Sequence, residues 1–290
     1  MTENGRLTCE LPNISFLAVS GTDAGDFLQR QTTQNVAKLM ARTTALAGWL
    51  DARGRVRAVF RVLRSSGRWI LAIVDQDAAA IATDLRVYVL RNDVELAIEP
   101  GWTAVARIGA ADDWLAARTE RCEDGDEIFV VEVAPGLHHL YGPSSDIRAI
   151  AGPLDDAAQV AIAAEIEAGI PSVAAALSQQ FTAHMLNLDA LGAVDFAKGC
   201  YPGQEVTART QNLGTVKRRA FPFRCDCMNP PPLDTAIVDH GGHTVGRVIR
   251  AAGRPGDLRV LAVVELDRAT APLHLDTADH PRLDPFDPPT

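Results

Sequence analysis

The sequence predicts an α+β protein of two or three domains that ends in a small β-barrel. Three observations predict it. At 290 residues the chain is too long for one small core. Between Thr43 and Ile98 its apolar residues follow a β-β-α-β grammar, which suits a layer of antiparallel sheet with helices. Beyond Arg219 the chain breaks into short apolar runs separated by Pro, Gly and Asp turns, the pattern of a compact barrel.

Each element has its own signal. Ile14–Val19 reads as a strand, and Ser20-Gly21-Thr22-Asp23 as a turn and helix cap. A helix is expected over Ala24–Leu39, with Phe27, Leu28, Gln31 and Val36 on one side. Ala45–Leu50 leads to a tight turn at Asp51-Ala52-Arg53-Gly54. Strands follow at Val56–Leu63 and Trp69–Val74, joined by a hairpin at Ser65-Ser66-Gly67. Ala78–Leu90 suits an amphipathic helix and Val94–Ile98 a strand. Further strands are expected at Thr103–Ile108, Ile128–Val133 and Leu137–Tyr141, and helices at Ala111–Arg118 and Asp155–Glu167. Gly169-Ile170-Pro171 stops the second of these helices. Ala174–Asn187 is a helix or loop. The barrel strands fall at Ala220–Cys225, Thr235–Asp239, Thr244–Ala251 and Arg259–Leu266. Asp276–Thr290 holds four prolines and several acids with little to bury, so a disordered tail is expected there.

A net charge of −9 argues against general binding to nucleic acid or to an anionic membrane. No apolar run reaches the ~18 residues of a membrane span. The first residues, MTENGRLTCELPN, lack the apolar core of a signal peptide. Five cysteines, an odd number, argue against a disulfide framework, and a cytoplasmic setting is expected.

The run Lys198-Gly199-Cys200-Tyr201-Pro202-Gly203-Gln204-Glu205 carries the most chemistry. It sets a thiol two residues from an amine, and lysine is scarce: Lys38, Lys198 and Lys217 are the only ones. A neighbouring cation favours thiolate over thiol. Gly199 and Gly203 allow close backbone approach or positive φ, while Gln204 and Glu205 can read a polar heterocycle. The same run also reads as a Gly-Pro turn that happens to hold a cysteine, and spacing alone leaves the two open.

Other constellations are weaker. Glu165 and Glu167 lie at a helix C-terminus, where the dipole disfavours acids. Either they are solvated surface or one is aimed into a pocket to bind an N–C–N edge. Glu167 is the better candidate, because the glycine stop fixes its orientation. Asp51–Arg55 and the island Arg209, Lys217, Arg218 and Arg219 could meet an anionic group or could simply be charged surface. Cys225-Asp226-Cys227 lacks the second ligand pair that zinc needs, so no metal site is expected. His138-His139 and His240/His243 have no partner at a recognisable spacing. No G-x-S-x-G, P-loop or G-x-G-x-x-G is present, which weakens hydrolase, NTPase and nicotinamide-dehydrogenase readings.

Lys198–Glu205 resembles the K-G-C-Y-x-G-Q-E signature of the YgfZ family of folate-binding proteins, relatives of the glycine-cleavage T-protein that assist iron–sulfur cluster enzymes. The likeness continues through Val206–Thr210 and Gly214–Arg219, where it is closest to the mitochondrial branch. It extends upstream to Asp51–Val56, to Phe27-Leu28-Gln29 with Thr32 and Val36, and to Glu167–Pro171, similar to an E-x-G-x-P element. It departs at Gln180–His184, which lacks the P-x-E expected before Asn187-Leu188-Asp189.

The resemblance implies a three-domain T-protein-like fold around a folate-sized hole. Residues 1–48 and 135–218 would form a discontinuous folate-binding domain, 49–134 a ferredoxin-like domain and 219–275 the barrel, with 276–290 as the tail. It implies tetrahydrofolate as ligand, with Glu167 on the pteridine ring and Arg209 on the glutamyl tail. Gly199, Tyr201, Gly203, Gln204 and Glu205 would complete the pocket wall. Cys200, activated by Lys198, would be the functional thiol at its mouth. The expected function is assembly or repair of [4Fe–4S] enzymes rather than conventional enzymatic turnover, with client enzymes or cluster carriers as partners. The alternative is a folate-dependent one-carbon transferase or demethylase.

Overall fold

The structure, a computed structural model, describes residues 7–41, 43–65, 67–109 and 127–286. The expected helix at Ala111–Arg118 lies outside them.

The first sheet has five antiparallel strands in the order β3-β4-β5-β2-β6. They are β2 (Ile14–Ser20), β3 (Thr44–Leu50), β4 (Val56–Arg64), β5 (Trp69–Val74) and β6 (Glu95–Ile98). Side chains alternate across a strand, and both faces of this sheet are covered. Phe60 and Val62 of β4 join a core with Phe27, Leu28, Ile81 and Leu85 from α1 (Ala24–Gln31) and α2 (Ala78–Arg86). Val59 and Leu63 face the other way, into the largest core. Burial on both faces explains why β4 and β5 read as continuous apolar runs.

The second sheet, in the order β1-β7-β9-β8, is also antiparallel. It comprises β1 (Leu7–Glu10), β7 (Trp102–Ile108), β8 (Phe129–Ala134) and β9 (Leu137–Pro143). One face meets the first sheet through Trp102 and Tyr141 against Phe16. The other packs Val105 and Leu140 on Ile147 of α3 (Ser144–Ala151). The helix α4 (Ala158–Glu167) wedges between this layer and the barrel, burying Ala161, Ile162, Glu165 and Ile166.

The barrel closes as β10-β13-β12-β11-β14-β15. Its strands are β10 (Arg218–Cys225), β11 (Ala236–Val238), β12 (Thr244–Arg254), β13 (Asp257–Glu265), β14 (Leu273–Leu275) and β15 (Arg282–Pro285). The α+β class and the terminal barrel expected from the sequence are both present.

Several expectations need correction. The proposed boundary at 48/49 falls inside β3, and that at 134/135 falls in the β8–β9 hairpin; the first sheet recruits β2 from the other side of the proposed boundary. Asp276–Phe286 does not form a tail. Leu283 is fully buried in the barrel core, and β15 pairs with both β10 and β14 to close the barrel. Its prolines sit at the strand's ends, where a missing N–H is tolerated. The helix expected to reach Leu39 stops at Gln31. There Thr32 turns extended and its hydroxyl bonds back to the Leu28 carbonyl, leaving only a short 3-10 turn at Val36–Lys38. Cys225 and Cys227 are joined by a disulfide, contrary to the expectation from cysteine count. Among the described residues no helix is long and apolar enough to cross a membrane.

Candidate functional site

Where the two sheets, α4 and the barrel meet, a cavity forms with two parts. An outer chamber of about 350 Å³ is lined by Gln34, Thr44, Arg61, Glu132 and Ile170, among others. An inner slot of about 30 Å³ lies beside His139, Tyr141, Glu165, Pro171 and Arg250. Leu46, Arg61, Val133 and Ile170 line both, so the two adjoin one another. The outer chamber is within the size range of small-molecule sites.

The polar groups of the slot come from four separate elements, β4, β9, α4 and β12. Glu165 lies on the apolar face of α4, one turn beyond Ala161 and beside Ile166. One of its oxygens lies 2.5 Å from Arg250 Nη2 and the other 3.1 Å from His139 Nε2. His139 and Tyr141 sit two residues apart on β9, hence on one face, and His139 Nδ1 lies 2.8 Å from the Tyr141 hydroxyl. Arg250 owes its position to a β-bulge. The β12–β13 register slips between Val248 and Arg250, so Ile249 and Arg250 both turn away from the barrel interior. Arg250 also approaches Asp75 Oδ2 at 3.7 Å. Asp75 in turn accepts hydrogen bonds from Asn13 and Ser172.

The charges follow from this geometry. Burial works to raise the Glu165 carboxyl, but the Arg250 charge and the His139 contact outweigh it and push it down to about 2. Burial pushes the Tyr141 phenol up to about 12, against a lowering influence from Arg61, which is hydrogen-bonded to it. Arg61 extends from β4 to the junction of slot and chamber, where it also reaches Thr44 Oγ1 at 3.5 Å. Among the described residues it has no carboxylate partner. The cavity therefore offers an anion one unpaired guanidinium.

The expected site residues occupy other positions. Lys198 is buried, and its ammonium donates to three carbonyls: Gln29 at 2.7 Å, Thr32 at 2.6 Å and Gln34 at 2.6 Å. Burial lowers its pKa to about 8, while three acceptors that only the ammonium can satisfy together oppose that trend. These contacts use all three of its donors, so Lys198 fastens the end of α1. Cys200 itself is exposed.

Gly203 has φ +77°, and a Cβ there would lie 2.6 Å from the Asp51 carbonyl oxygen and 2.7 Å from Gly54 Cα. It starts α5 (Gln204–Leu213). The motif and the Asp51–Arg55 turn are thus two halves of one close contact, which accounts for glycine in both. Tyr201 is buried beneath the Lys198 ammonium, 5.2 Å from ring centre to Nζ. Gln204 donates to the Lys198 carbonyl at 3.3 Å, and nothing lies within 4 Å of a Cβ at Gly199. Glu205 and Arg209 are exposed on α5. None of Lys198–Glu205 or Arg209 lines the chamber or the slot.

Glu167 also lies outside that lining. It is half-exposed and paired with Arg259 at 3.0 Å, while Glu165, two residues earlier, points inward. The basic island is partly neutralised, since Arg219 pairs with Asp189 and Arg218 with Glu265. Sequence reasoning missed Arg61, Arg250, His139 and Tyr141. Only Glu165 left a legible trace, a charge on the apolar stripe of its helix.

The family described as CAF17, C-terminal beta-barrel domain, matches residues 217–289. A relative from Klebsiella pneumoniae, named tRNA-modifying protein YgfZ, is 31% identical over 225 residues, covering 72% of this chain and 68% of that protein. Its namesake from Edwardsiella ictaluri is 29% identical over 222 residues, covering 71% and 67%. Among solved structures, the glycine cleavage system aminomethyltransferase T from Bartonella henselae superposes with a TM-score of 0.73 at 13% identity, covering 97% of this chain and 85% of that one. That likeness establishes a T-protein-like fold, and with the sequence relatives it places this chain in the YgfZ family.

Proposed function

We propose that the central cavity binds a folate, tetrahydrofolate or a derivative, and that the protein serves as a folate-dependent factor in assembly or repair of [4Fe–4S] enzymes. The observation that carries the folate reading is the cavity itself, where a chamber of mixed polar and apolar lining adjoins a buried slot with polar groups at its end and an unpaired cation at the junction. Leu46, Val59 and Ile170 suit the faces of a planar heterocycle. The Tyr141 hydroxyl and the Glu165 cluster suit its polar edge. Arg61 supplies the counter-charge for an anionic group, and an Arg fork matches a carboxylate well. Bound tetrahydrofolate would supply reduced one-carbon chemistry. This chain's residues bind it, orient it and exclude water from its inner edge.

In this reading Cys200 acts outside the cavity, as an exposed thiol open to a client protein or a cluster carrier. One cysteine per chain cannot hold a cluster without outside ligands, so the cluster is cargo completed by a partner. The relatives' name, tRNA-modifying protein, fits a factor that serves cluster-dependent RNA-modifying enzymes.

The test is calorimetric titration of tetrahydrofolate into wild type, Arg61→Ala and Glu167→Ala. Wild type should bind, Arg61→Ala should bind about tenfold more weakly, and Glu167→Ala should match wild type. Absence of binding to the wild type would overturn the folate reading. Normal activity of cluster enzymes in cells carrying only Cys200→Ala would overturn the role of the thiol.

The likeness to an aminomethyltransferase favours one-carbon transfer as a second reading. That chemistry needs a free acid or base beside the ligand, and Glu165 is held as a paired carboxylate. Conversion of tetrahydrofolate to its methylene form with an amine donor would decide for it.

A further inference from the structure

A second concavity, of about 250 Å³, opens where the Arg55 turn, the Gln180–Met185 segment and the barrel meet. Its lining carries three guanidiniums, from Arg55, Arg218 and Arg247, and no carboxylate. That is a local excess of positive charge on a chain of net charge −9. It shares no lining residue with the central cavity.

Each arginine is positioned by backbone. Arg55 forms a bridge with Thr182, and its Nη1 donates to the Gln180 carbonyl at 2.6 Å. Its backbone N–H donates to Asp51 Oδ1 at 2.8 Å, and among the described residues its guanidinium has no carboxylate partner. Arg218 stands opposite Glu265 across β10 and β13, joined through Nη2 at 2.6 Å. Arg247 stands opposite Val263 on β13 and holds Asp234 through Nη1 at 3.2 Å. These ion pairs are partly exposed, of a kind worth only about 0–1 kcal/mol. Each engages one nitrogen of a five-donor fork, so an anion can recruit the rest.

The floor is apolar. Phe181, Met185 and Val263 form it, and Gly246 keeps it flat, since a Cβ there would lie 2.6 Å from the Val263 carbonyl oxygen.

The geometry points to a second ligand site at Arg55, Arg218 and Arg247, for a small phosphate monoester with an apolar or aromatic body. A phosphate carries nearly two charges and accepts bidentate hydrogen bonds from guanidinium forks. The Phe181–Val263 floor takes the body attached to it. The acidity of the whole molecule selects a small ligand over a polynucleotide, whose long phosphate backbone the rest of the surface would repel.

The test is calorimetric titration with three probes: inorganic phosphate, adenosine 5′-monophosphate and a decameric oligoribonucleotide without a terminal phosphate. Wild type should bind the monophosphate more tightly than inorganic phosphate, and both more weakly as salt rises. Arg55→Gln and Arg247→Gln should each weaken monophosphate binding about tenfold. Thermal unfolding and tetrahydrofolate titration should stay at wild-type values in both variants. No binding of either phosphate probe would overturn the site, as would wild-type affinity in the double variant. Tight binding of the oligoribonucleotide alone would overturn the assignment to a small ligand.

Discussion

The inner slot and the Lys198–Glu205 segment are both rich in polar groups, yet they are built in opposite ways. In the slot, Glu165, Arg250 and His139 come from a helix, a barrel strand and the second sheet; Glu165 is held between the other two, and Arg250 also reaches Asp75. In the segment, polar groups adjacent in sequence disperse in space. Lys198 turns inward to carbonyls, Cys200 and Glu205 face solvent, and Gly203 presses on a neighbouring turn. A recognisable motif here is mainly a packing and fastening device that presents one thiol. The polar chemistry of the cavity is assembled by tertiary structure. Substitutions should therefore separate the two regions by stability, by ligand affinity and by cellular effect.

The sharpest separation is expected from Arg250→Ala, which strands a buried carboxylate. Denaturant unfolding should show a loss of about 3–5 kcal/mol, and the double replacement Arg250→Met, Glu165→Leu should recover much of it. If Arg250→Ala alone is nearly neutral, the slot is wetter than the structure implies.

Next in size is an acid-sensitive stability. The folded Glu165 carboxyl, near 2, lies below its ordinary value of 4.5. The stabilisation is therefore fully present above pH 4.5 and is lost as pH falls toward 2, an effect of about 3 kcal/mol. Glu165→Gln should flatten the unfolding free energy across that window, and an unchanged slope would count against the ion pair.

On the other side of the comparison, Gly203→Ala forces a Cβ into the Asp51–Gly54 turn at positive φ. It should cost about 2 kcal/mol with no change in tetrahydrofolate affinity beyond that from unfolding. Smallest is Cys200→Ala, which should shift the unfolding midpoint by no more than about 0.5 kcal/mol allows, while impairing cluster-dependent enzymes in cells.

Much of the fold was legible because its elements are locally encoded. The apolar runs of β4 and β5, the amphipathic pattern of α2 and the Pro/Gly-punctuated barrel strands all announce themselves. Short closing strands did not. Leu273–Leu275 and Arg282–Pro285 are strands only because neighbours pair with them. The site was less legible still. Residues two apart on a helix project about 200° from one another, so Glu165 and Glu167 cannot share a face. The apolar partners Ala161, Ile162 and Ile166 mark Glu165 as the inward one. For Arg250 no such reading was open. Strict alternation from Val248 would send it into the barrel interior, and only the bulge at Ile249 reverses it. The Lys198 ammonium was equally hidden, because its acceptors lie more than 160 residues upstream.

One of those acceptors matters beyond fastening. Gln34 gives its carbonyl to Lys198, while its side chain reaches the Leu46 and Gly192 carbonyls and lines the outer chamber. The loop that carries the exposed thiol and the rim of the chamber are thus joined through a single residue. The two are tied through the carbonyl and the side chain of one residue.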